Sequence, residues 1–402
     1  MLQTKPFADA VKVVEQIENS GYEAFFVGGC VRDFLLDREL GDIDIATSAR
    51  PEVIQQIFKR VIPVGIQHGT VIVQSAGGSY EVTTYRVDGD YTDQRHPDSV
   101  HFIQTIDGDL ERRDFTINAL AMDRYGEIID LFDGRKDIER KVIRTVGNGY
   151  DRFMEDPLRI IRALRFSSQL GFTISENTLR AIKYVKKEIE NIAVERIGNE
   201  LAKLFAGEHS ETGIKYLRET KVYEHLPVMI EYPYIINKLP SDLQPLKSFG
   251  AVIALFHLLE SAISIKQWVS EWKLSNKIKQ EAIQLYEGLM HYEERGLDFW
   301  TVYCLPKHLY EDFTRLVNCL FSPDSNLAAD DLIEINEKLP IESSRGLEVS
   351  GHDIREIFPE AEKGPWIRET LIAVEKQVVA GKLENNKKVL RDWIKWNPHA
   401  TD

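Results

Sequence analysis

The pattern of hydrophobic and polar positions divides the chain into an N-terminal part of mixed period and a longer helical part. Residues 7–20 carry apolar side chains at helical spacing and precede a glycine, which predicts an amphipathic helix. Residues 70–74 and 80–85 are rich in β-branched side chains and flank two glycines, which predicts a hairpin. We therefore expect one α/β unit near the N-terminus.

The stretch of residues 25–46 organises this N-terminal part. Its apolar start, residues 25–27, predicts a buried strand, and two glycines then break the strand before a predicted helix over residues 31–37. Residues 42–45 read Asp-Ile-Asp-Ile, and this alternation predicts a strand with one polar face. The predicted order is therefore strand, glycine turn, helix and strand.

This order brings together groups that bind a nucleotide. At a helix N-terminus the backbone N–H groups of Gly28 and Gly29 favour a phosphate, and Arg32, one turn later, can bind the same phosphate. Asp42 and Asp44 lie on one face of the predicted strand, where their carboxylates can share divalent cations. Each feature alone is usually structural, but together they predict metal-assisted nucleotidyl transfer.

From about residue 141 onward the strand pattern nearly disappears. Helical spacing is interrupted only by short loops, and the predicted helices cover residues 175–190, 193–205, 212–223, 242–265, 276–295, 309–320 and 329–339. This change marks a domain boundary, and we find no short-period repeat. The sequence therefore predicts a mixed N-terminal domain and a helical remainder.

A basic stripe follows Asp156 and Pro157. Asp156 suits a helix cap and Pro157 the first helical position. Arg159, Arg162 and Arg165 recur every three residues, so one face of the helix is basic. Asp156 and Arg159 are also three residues apart and can both project towards one ligand. A plain helix cap followed by a solvent-facing or RNA-facing stripe explains these residues equally well.

The pair Asp156 and Arg159 has the chemistry to select bases. Cytosine and adenine both present an amino donor beside a ring-nitrogen acceptor, so a carboxylate can accept from the first and a guanidinium can donate to the second. Uracil and guanine present the reverse order, and each mismatched contact costs ~1–3 kcal/mol in a desolvated pocket. Such a pair would accept C and A and reject U and G.

Five motifs resemble those of the tRNA nucleotidyltransferase and bacterial poly(A) polymerase family, which belongs to the polymerase β-like nucleotidyltransferases. They are GGCVRD with DID (residues 28–33 and 42–44), RRDFTINALA (112–121), IIDLFDG (128–134), EDPLRIIRALR (155–165) and ERIGNEL (195–201). The resemblance is strong to about residue 205 and looser beyond it. It implies an α+β catalytic domain of polymerase β-like fold, followed by all-α domains.

The resemblance also implies roles for individual residues. Asp42 and Asp44 would be catalytic and would bind two Mg²⁺ ions. The implied nucleotide-binding residues are Gly28, Gly29, Arg32, Arg113, Asp114, Asp156, Arg159, Arg162 and Arg165. In the family, the Arg-Asp pair of the second motif contacts sugar and phosphates, and the Asp–Arg pair of the fourth motif recognises the base. The later arginines of the fourth motif would steer the triphosphate or stabilise the pocket. In the other motifs, four residues are expected to be structural: Asp130, Asp133, Glu195 and Arg196.

The implied activity is the addition of CCA to tRNA 3′ ends from the substrates CTP and ATP. The implied domains are a catalytic domain (1–140), a nucleotide-recognition domain (141–205), an RNA-binding body (206–285) and a tRNA-binding tail (286–402). The helical domains would bind the acceptor stem and T arm of tRNA. The aperiodic polar stretch 86–99 resembles the flexible loop that takes part in the switch from CTP to ATP.

Composition changes this interpretation little. The chain of 402 residues has 43% hydrophobic and 28% charged residues, as is ordinary for a globular protein. Its net charge of −14 opposes nucleic-acid binding, but residues 141–205 carry 12 Lys/Arg against 8 Asp/Glu and form a basic segment. Three separated cysteines, an N-terminus unlike a signal peptide and no membrane span predict a cytoplasmic protein. The oligomeric state, a homodimer included, stays open.

Several alternatives remain beside CCA addition. In poly(A) polymerases of the family a basic run follows the metal motif, whereas residues 65–69 read Gly-Ile-Gln-His-Gly, which favours tRNA processing. Enzymes that add only CC have a shortened flexible loop, whereas residues 86–99 have the full length. Enzymes that add only A are poorly distinguished from CCA-adding enzymes by sequence. The presence of Asp42, Asp44 and Arg32 counts against a non-catalytic RNA-binding protein, because degenerate members of the family usually lose their metal ligands first. A small-molecule nucleotidyltransferase would not need the long helical half.

Overall fold

Strands of the N-terminal region pair into a mixed sheet in the computed structural model, which describes residues 7–75, 77–89, 100–321, 326–362 and 364–397. The strands in chain order are β1 (Ala24–Val27), β2 (Asp44–Thr47), β3 (Val61–Gly65), β4 (Thr70–Ser75), β5 (Gly78–Thr84), β6 (Arg86–Asp88), β7 (Val100–Phe102), β8 (Leu120–Met122), β9 (Ile128–Asp130), β10 (Val142–Ile143) and β11 (Thr173–Ile174). Seven of them form a sheet of order β3-β4-β5-β2-β1-β8-β9, and β6–β7 and β10–β11 form two small ribbons.

Helices accompany this sheet and then dominate the chain. The early helices are α1 (Phe7–Asn19), α2 (Gly29–Leu35), α3 (Pro51–Ile57), α4 (Ile106–Glu111), α5 (Gly134–Glu139), α6 (Gly149–Glu155), α7 (Leu158–Leu170), α8 (Glu176–Val185), α9 (Val194–Phe205) and α10 (Ser210–Thr220). Later helices are α11 (Ile235–Lys238), α12 (Phe249–Leu259), α13 (Ile265–Glu271), α14 (Asn276–Arg295), α15 (Phe299–Cys304), α16 (Tyr310–Leu320), α17 (Ala329–Glu337), α18 (Gly351–Ile357), α19 (Trp366–Val379) and α20 (Lys387–Trp396). The predicted α+β domain followed by helices is confirmed.

Two compact units divide the chain, Met1–Asn237 and Lys238–Asp402. In the first, a cluster that includes Val27, Ala46 and Leu110 packs α4 against β1 and β2. In the second, a separate cluster that includes Val374 and Leu390 packs α18, α19 and α20 together. Each unit therefore has a core of its own. Among the described helices, none combines the length and the apolar character that a bilayer span requires.

The sheet places the glycine turn beside the acidic strand. Strand β1 runs antiparallel to β2, and Val27 at its end is in register with Asp44 at the start of β2. On its other side β2 pairs in parallel with β5, which brings Glu81 into register with Asp44. Gly28 follows Val27 directly, so the turn and the aspartate meet at one end of β1 and β2, beside Glu81 in the middle of β5.

The predicted cap at Asp156 is confirmed. Asp156 has an extended backbone between α6 and α7, and Pro157 already has helical dihedral angles, φ −62° and ψ −15°. The Leu158 N–H donates to a carboxylate oxygen of Asp156 over 3.1 Å. This bond satisfies one of the backbone donors at the helix start that lack a partner within the helix. The arginine stripe therefore begins where the sequence predicted it.

Three local expectations differ from the structure. The spacing of the apolar residues Phe115, Ile117 and Leu120 predicts a helix that begins at Arg113 and Asp114. Instead, residues 116–118 form one 3₁₀ turn and the chain then enters β8, which pairs with β1. Pairing with a distant strand overrides the local helical spacing here. The predicted strand 42–45 begins only at Asp44. The predicted loop 86–99 begins with a strand, β6, paired with β7, and residues 90–99 lie outside the described residues.

Candidate functional site

A cleft of about 550 Å³ in the first unit collects most of the predicted site residues. Its lining comes from the end of β1, the first turn of α2, strands β2 and β5, and the basic face of α7. Eight arginines line it: Arg32, Arg86, Arg112, Arg113, Arg159, Arg162, Arg165 and Arg196. Four carboxylates line it: Asp44, Glu81, Asp114 and Asp156. This excess of cationic groups suits a polyanionic ligand such as a triphosphate.

The glycine turn allows the backbone to approach an arginine closely. Gly28 has φ 73° and ψ −128°, a conformation that side chains with a Cβ rarely adopt. A Cβ on Gly28 would lie 2.8 Å from Nη1 of Arg113, well inside van der Waals contact. Helix α2 begins at Gly29. The predicted phosphate turn and Arg113 therefore lie against each other at the cleft wall.

A hydrogen-bond chain joins two arginines of the cleft. Nη1 of Arg32 donates to Oδ1 of Asn118 over 2.6 Å, and Nδ2 of Asn118 donates to Oδ1 of Asp114 over 3.1 Å. Nε of Arg162 donates to the other carboxylate oxygen of Asp114 over 2.8 Å. Burial alone would raise the pKa of Asp114, but Arg162 and the bond from Asn118 hold it well below its usual range. Asp114 is therefore a charged anchor.

Asp109 holds the two consecutive arginines of the second motif. Its carboxylate is almost completely buried and accepts from Arg112 over 2.8 Å and from Arg113 over 3.0 Å. Burial acts to raise the pKa of Asp109, but the two guanidinium groups outweigh it and lower the pKa. Asp109 therefore fixes the direction in which both arginines extend.

Asp44 lies among other carboxylates. Burial and the charge of Glu81 raise the pKa of Asp44 to about 6, with a smaller contribution from Asp42 and an opposing one from Arg113. Asp42 itself is exposed and precedes the first residue of β2. It does not line the cleft. The two predicted metal ligands therefore differ in their surroundings, and Asp44 is the one inside the cavity.

Asp156 and Arg159 both line the cleft, and each is held by other protein groups. The second carboxylate oxygen of Asp156 accepts from Nη2 of Arg196 over 2.9 Å. Arg159 donates to Glu155 over 2.6 Å and to the backbone oxygen of Arg112 over 3.2 Å. The partners fix both side chains on the same wall, where they can face one ligand.

Three arginines surround one aromatic ring. The guanidinium carbons of Arg32, Arg162 and Arg165 lie 5.1, 5.4 and 4.1 Å from the centre of the Phe166 ring. Burial lowers the pKa of Arg165 to about 10, although Glu200, 3.1 Å away, opposes the shift. Cation–π contacts with the Phe166 ring and the negative charge of Glu200 thus stabilise a cluster of three positively charged arginines.

Sequence reasoning missed several residues of this cleft. Asn118, Glu81 and Phe166 were not singled out, although all three line the cavity. Arg196 was expected to be structural, and it does hold Asp156, but it also lines the cleft. The available signal was the position of Asn118 inside the second motif and of Phe166 directly after the fourth. Glu81 has no such signal, because only strand pairing places it beside Asp44.

The carboxylates of the cleft suit a metal ion that is bound together with a substrate. Among the described residues, no group of three or more His, Cys, Asp or Glu side chains is placed to hold a metal ion. Mg²⁺ usually binds one or two carboxylates together with substrate phosphates and water, rather than a complete protein cage. The arrangement around Asp44 agrees with that mode of binding.

Comparison with family models covers both units. The model of the "Poly A polymerase head domain" matches residues 24–144. The model of "tRNA nucleotidyltransferase domain 2" matches residues 246–394, and a model of an RNA and SrmB-binding site of polymerase A matches residues 171–232. The first match contains the glycine turn, Asp44 and the second and third motifs.

Similar proteins match over nearly the full chain. A CCA-adding enzyme of Oceanobacillus iheyensis is 47% identical over 395 residues, which cover 98% of each chain. A CCA-adding enzyme of Bacillus cereus is 37% identical over 396 residues, 96% of this chain and 98% of that one. The crystal structure of the Bacillus stearothermophilus CCA-adding enzyme in complex with CTP is 35% identical, with a TM-score of 0.85 and 98% of each chain covered.

Proposed function

Because this chain belongs to the family of CCA-adding enzymes, we propose that it adds C, C and A to the 3′ end of tRNA from CTP and ATP and releases pyrophosphate. One observation carries the proposal: Asp44, the glycine turn and the pair Asp156 and Arg159 line a single cavity. The volume of about 550 Å³ suits a small-molecule ligand of nucleotide size. A single nucleotide bound in this cavity would therefore contact Asp44, the glycine turn and the pair Asp156 and Arg159 at the same time.

Asp44 and Asp42 are the proposed ligands of two Mg²⁺ ions. The fit is supported by the surroundings of Asp44, where burial and then the charge of Glu81 raise its pKa, and where a divalent cation would neutralise both carboxylates. When bound, the ions would activate the terminal 3′-hydroxyl of the RNA and neutralise the triphosphate and the leaving pyrophosphate. Asp44 contributes a carboxylate from a rigid central strand, which fixes where that chemistry takes place.

The arginines on both sides of the cleft would hold the phosphates and the sugar. Arg32 lies at the glycine turn and Arg113 lies directly against Gly28, so both can donate to oxygens bound at the turn. Asp114 keeps Arg162 extended into the cavity from the other side. We assign Arg162 and Arg165 to the triphosphate because their helix face carries the excess of positive charge.

Asp156 and Arg159 would select the base. The carboxylate accepts from the amino group of cytosine or adenine, and the guanidinium donates to the adjacent ring nitrogen. Arg196 supports this assignment, because its bond to one carboxylate oxygen of Asp156 holds that side chain at the cleft wall. A base with the reverse order of donor and acceptor would leave buried polar groups unpaired.

The acceptor is proposed to be tRNA, held by the helical domains over residues 206–285 and 286–402. Duplex RNA is recognised largely through backbone and shape, which a set of helices can provide along the acceptor stem and T arm. We further propose that the segment 86–99 takes part in the switch from CTP to ATP. Shortening it should spare C addition and block A addition, and equal loss of both would contradict this assignment.

The test is extension of a tRNA transcript that lacks its 3′ CCA, with Mg²⁺ and with CTP, ATP or both. Sequencing the product after incubation with both nucleotides should show CCA and then a stop. Substitution Asp44→Ala should abolish incorporation of C and A alike. Normal incorporation by that variant would contradict the metal assignment, and absence of any extension by the unsubstituted protein would contradict the proposed function.

A poly(A) polymerase is the second candidate, because the head-domain model that matches residues 24–144 carries that name. The same assay separates the two activities. A long A tail grown from ATP alone on a tRNA or another RNA would support polyadenylation. Addition that stops after one A and requires two preceding C residues would support CCA addition.

A further inference from the structure

We infer that Asn118 is a positioning residue that links Arg32, on the phosphate side of the cleft, to Arg162 on its opposite wall. The inference rests on the proposed function and deepens it, because the sequence motifs imply no role for this asparagine. Asn118 ends the 3₁₀ turn of residues 116–118, which lies between α4 and β8. Its side chain is 6% exposed, so its partners are protein groups rather than solvent.

The two partners of Asn118 fix the orientation of its amide. A guanidinium can only donate, so the oxygen Oδ1 must face Arg32, where the separation is 2.6 Å. An ionised carboxylate can only accept, so Nδ2 must face Asp114, where the separation is 3.1 Å. The amide of Asn118 therefore satisfies both partners at once, with its oxygen towards Arg32 and its nitrogen towards Asp114.

The bond from Asn118 ties Arg32 to another part of the fold. Among the described residues, the other side-chain hydrogen bonds of Arg32 run to Asp33, the next residue on the same short helix, over 3.0 and 2.9 Å. Asp33 moves with α2 and cannot set the direction of Arg32 relative to the opposite wall. Asn118 supplies that direction through Asp114, whose carboxylate is bound by Arg162 over 2.6 Å.

Electrostatics give the link a second purpose. The guanidinium carbons of Arg32 and Arg162 lie 5.1 and 5.4 Å from the centre of the Phe166 ring, so two positive charges lie close to each other. The charged carboxylate of Asp114 lies near both arginines. The neutral amide of Asn118 bonds to Asp114 and to Arg32, and it thereby holds Arg32 in place relative to Asp114. The chain of bonds therefore keeps two repelling arginines in a fixed arrangement, ready for a polyphosphate.

Removal of the link should weaken nucleotide binding without changing base choice. Arg32 would lose its only described bond to a distant element, whereas Asp156 and Arg159 have other partners. We expect KM for CTP and for ATP to rise together by about tenfold, the effect of losing one charge-assisted hydrogen bond. The preference for C and A over U should not change.

Two variants test the inference. Asn118→Ala removes both bonds, whereas Asn118→Asp keeps the size and an acceptor for Arg32 but replaces the donor to Asp114 with a second carboxylate. The matched control is Asn148→Ala, which removes a helix-capping asparagine that accepts from the Tyr150 N–H in the same unit. The measurements are kcat and KM for CTP and ATP, thermal stability, and CTP affinity without tRNA.

A double variant shows whether Asn118 acts through Arg32. If it does, Asn118→Ala should add little to the loss in nucleotide affinity caused by Arg32→Ala. Additive losses, an unchanged KM in Asn118→Asp, or a defect with only one nucleotide would overturn the inference. CTP affinity tests the link even if the unsubstituted protein extends no tRNA, an outcome that would instead contradict the proposed function.

Discussion

Asp44 and Glu81 occupy directly paired positions on the adjacent parallel strands β2 and β5. Paired positions on neighbouring strands carry their side chains on the same face of the sheet. Both residues line the cleft, and the charge of Glu81 adds to the effect of burial in raising the pKa of Asp44. The aspartate predicted from the Asp-Ile-Asp motif therefore has a neighbouring carboxylate that the motif does not contain.

We expect Asp44→Asn and Glu81→Gln to lower the rate to different extents, because the first removes a proposed metal ligand and the second removes only a neighbouring charge. Loss of the ligand removes several kcal/mol of charge stabilisation, so Asp44→Asn should lower the rate of nucleotide addition by about 1,000-fold or more. Glu81→Gln removes one charge beside the ligand, and it should lower the rate by about tenfold and shift the Mg²⁺ concentration needed for half-maximal rate.

Initial rates measured over a range of Mg²⁺ concentrations check this prediction. The control is Glu52→Gln, an exposed glutamate in the first turn of α3, which should leave the rate and the Mg²⁺ dependence unchanged. An equal loss in the Asp44 and Glu81 variants would mean that both carboxylates act as ligands. An unaltered Mg²⁺ dependence in Glu81→Gln would contradict the electrostatic role.

Gly28→Ala should impair nucleotide binding beyond its effect on stability. The alanine Cβ would meet Nη1 of Arg113 at 2.8 Å and displace that guanidinium. Gly21→Ala is the matched control, because Gly21 also has positive φ, 90°, but has no atom within 4 Å of a Cβ. Both variants should lose about 1 kcal/mol of stability from backbone strain. Only Gly28→Ala should raise KM, and equal KM values in the two variants would contradict the assignment.

Local patterns account for what the sequence predicted correctly. The break at Gly28 and Gly29, the cap at Asp156 and the helix Asn276–Arg295 all depend on residues within a few positions of one another. A glycine with positive φ, a carboxylate that accepts from the first helical turn and an apolar stripe are each visible in a short window. Such features allowed us to predict the order of the elements and most of the residues that line the cleft.

Contacts between distant residues account for what the sequence could not predict. Asn118 meets Arg32 across 86 positions, and Arg196 meets Asp156 across 40. Neither pair follows from spacing or propensity, since a fold must first bring the elements together. Pairing of β8 with β1 likewise replaced the helix expected after Asp114. The network that supports the site therefore emerged only from the structure.

Asp156→Asn should relax base selection. An asparagine side chain can donate as well as accept, so its amide can bind the carbonyl that uracil presents where cytosine has an amino group. We expect incorporation from CTP and ATP to fall by about tenfold or more, and the relative use of UTP to rise. Sequencing of products made in competition between CTP and UTP measures the change.

The control for this variant is Asp151→Asn, an exposed aspartate in the first turn of α6. It should retain the wild-type preference, since it is not among the residues that line the cleft. An unchanged ratio of C to U in Asp156→Asn would show that another group selects the base. A loss of activity with unaltered selectivity would leave Asp156 with its capping role only.

Asp353 joins two helices of the second unit. Its carboxylate accepts from the N–H and the hydroxyl of Ser350 over 2.9 and 2.7 Å, at the start of α18. It also pairs with Lys387 and Arg391 of α20, at 2.9 and 3.2 Å. The bond to Lys387, together with those from Ser350, holds the pKa of Asp353 well below its usual range.

This depressed pKa makes the stability of the second unit sensitive to acid. An unfolded chain protonates an aspartate near pH 3.9, whereas folded Asp353 resists protonation, so its contribution is complete above that pH and disappears as the pH falls through its folded pKa. Asp353→Asn should therefore be less stable than the unsubstituted protein at pH 7, and the difference should shrink below about pH 4. Thermal unfolding between pH 7 and pH 3 measures it, with Asp392→Asn on α20 as the exposed control. A difference between Asp353→Asn and the unsubstituted protein that stayed constant with pH would show that Asp353 contributes through packing rather than through its charge.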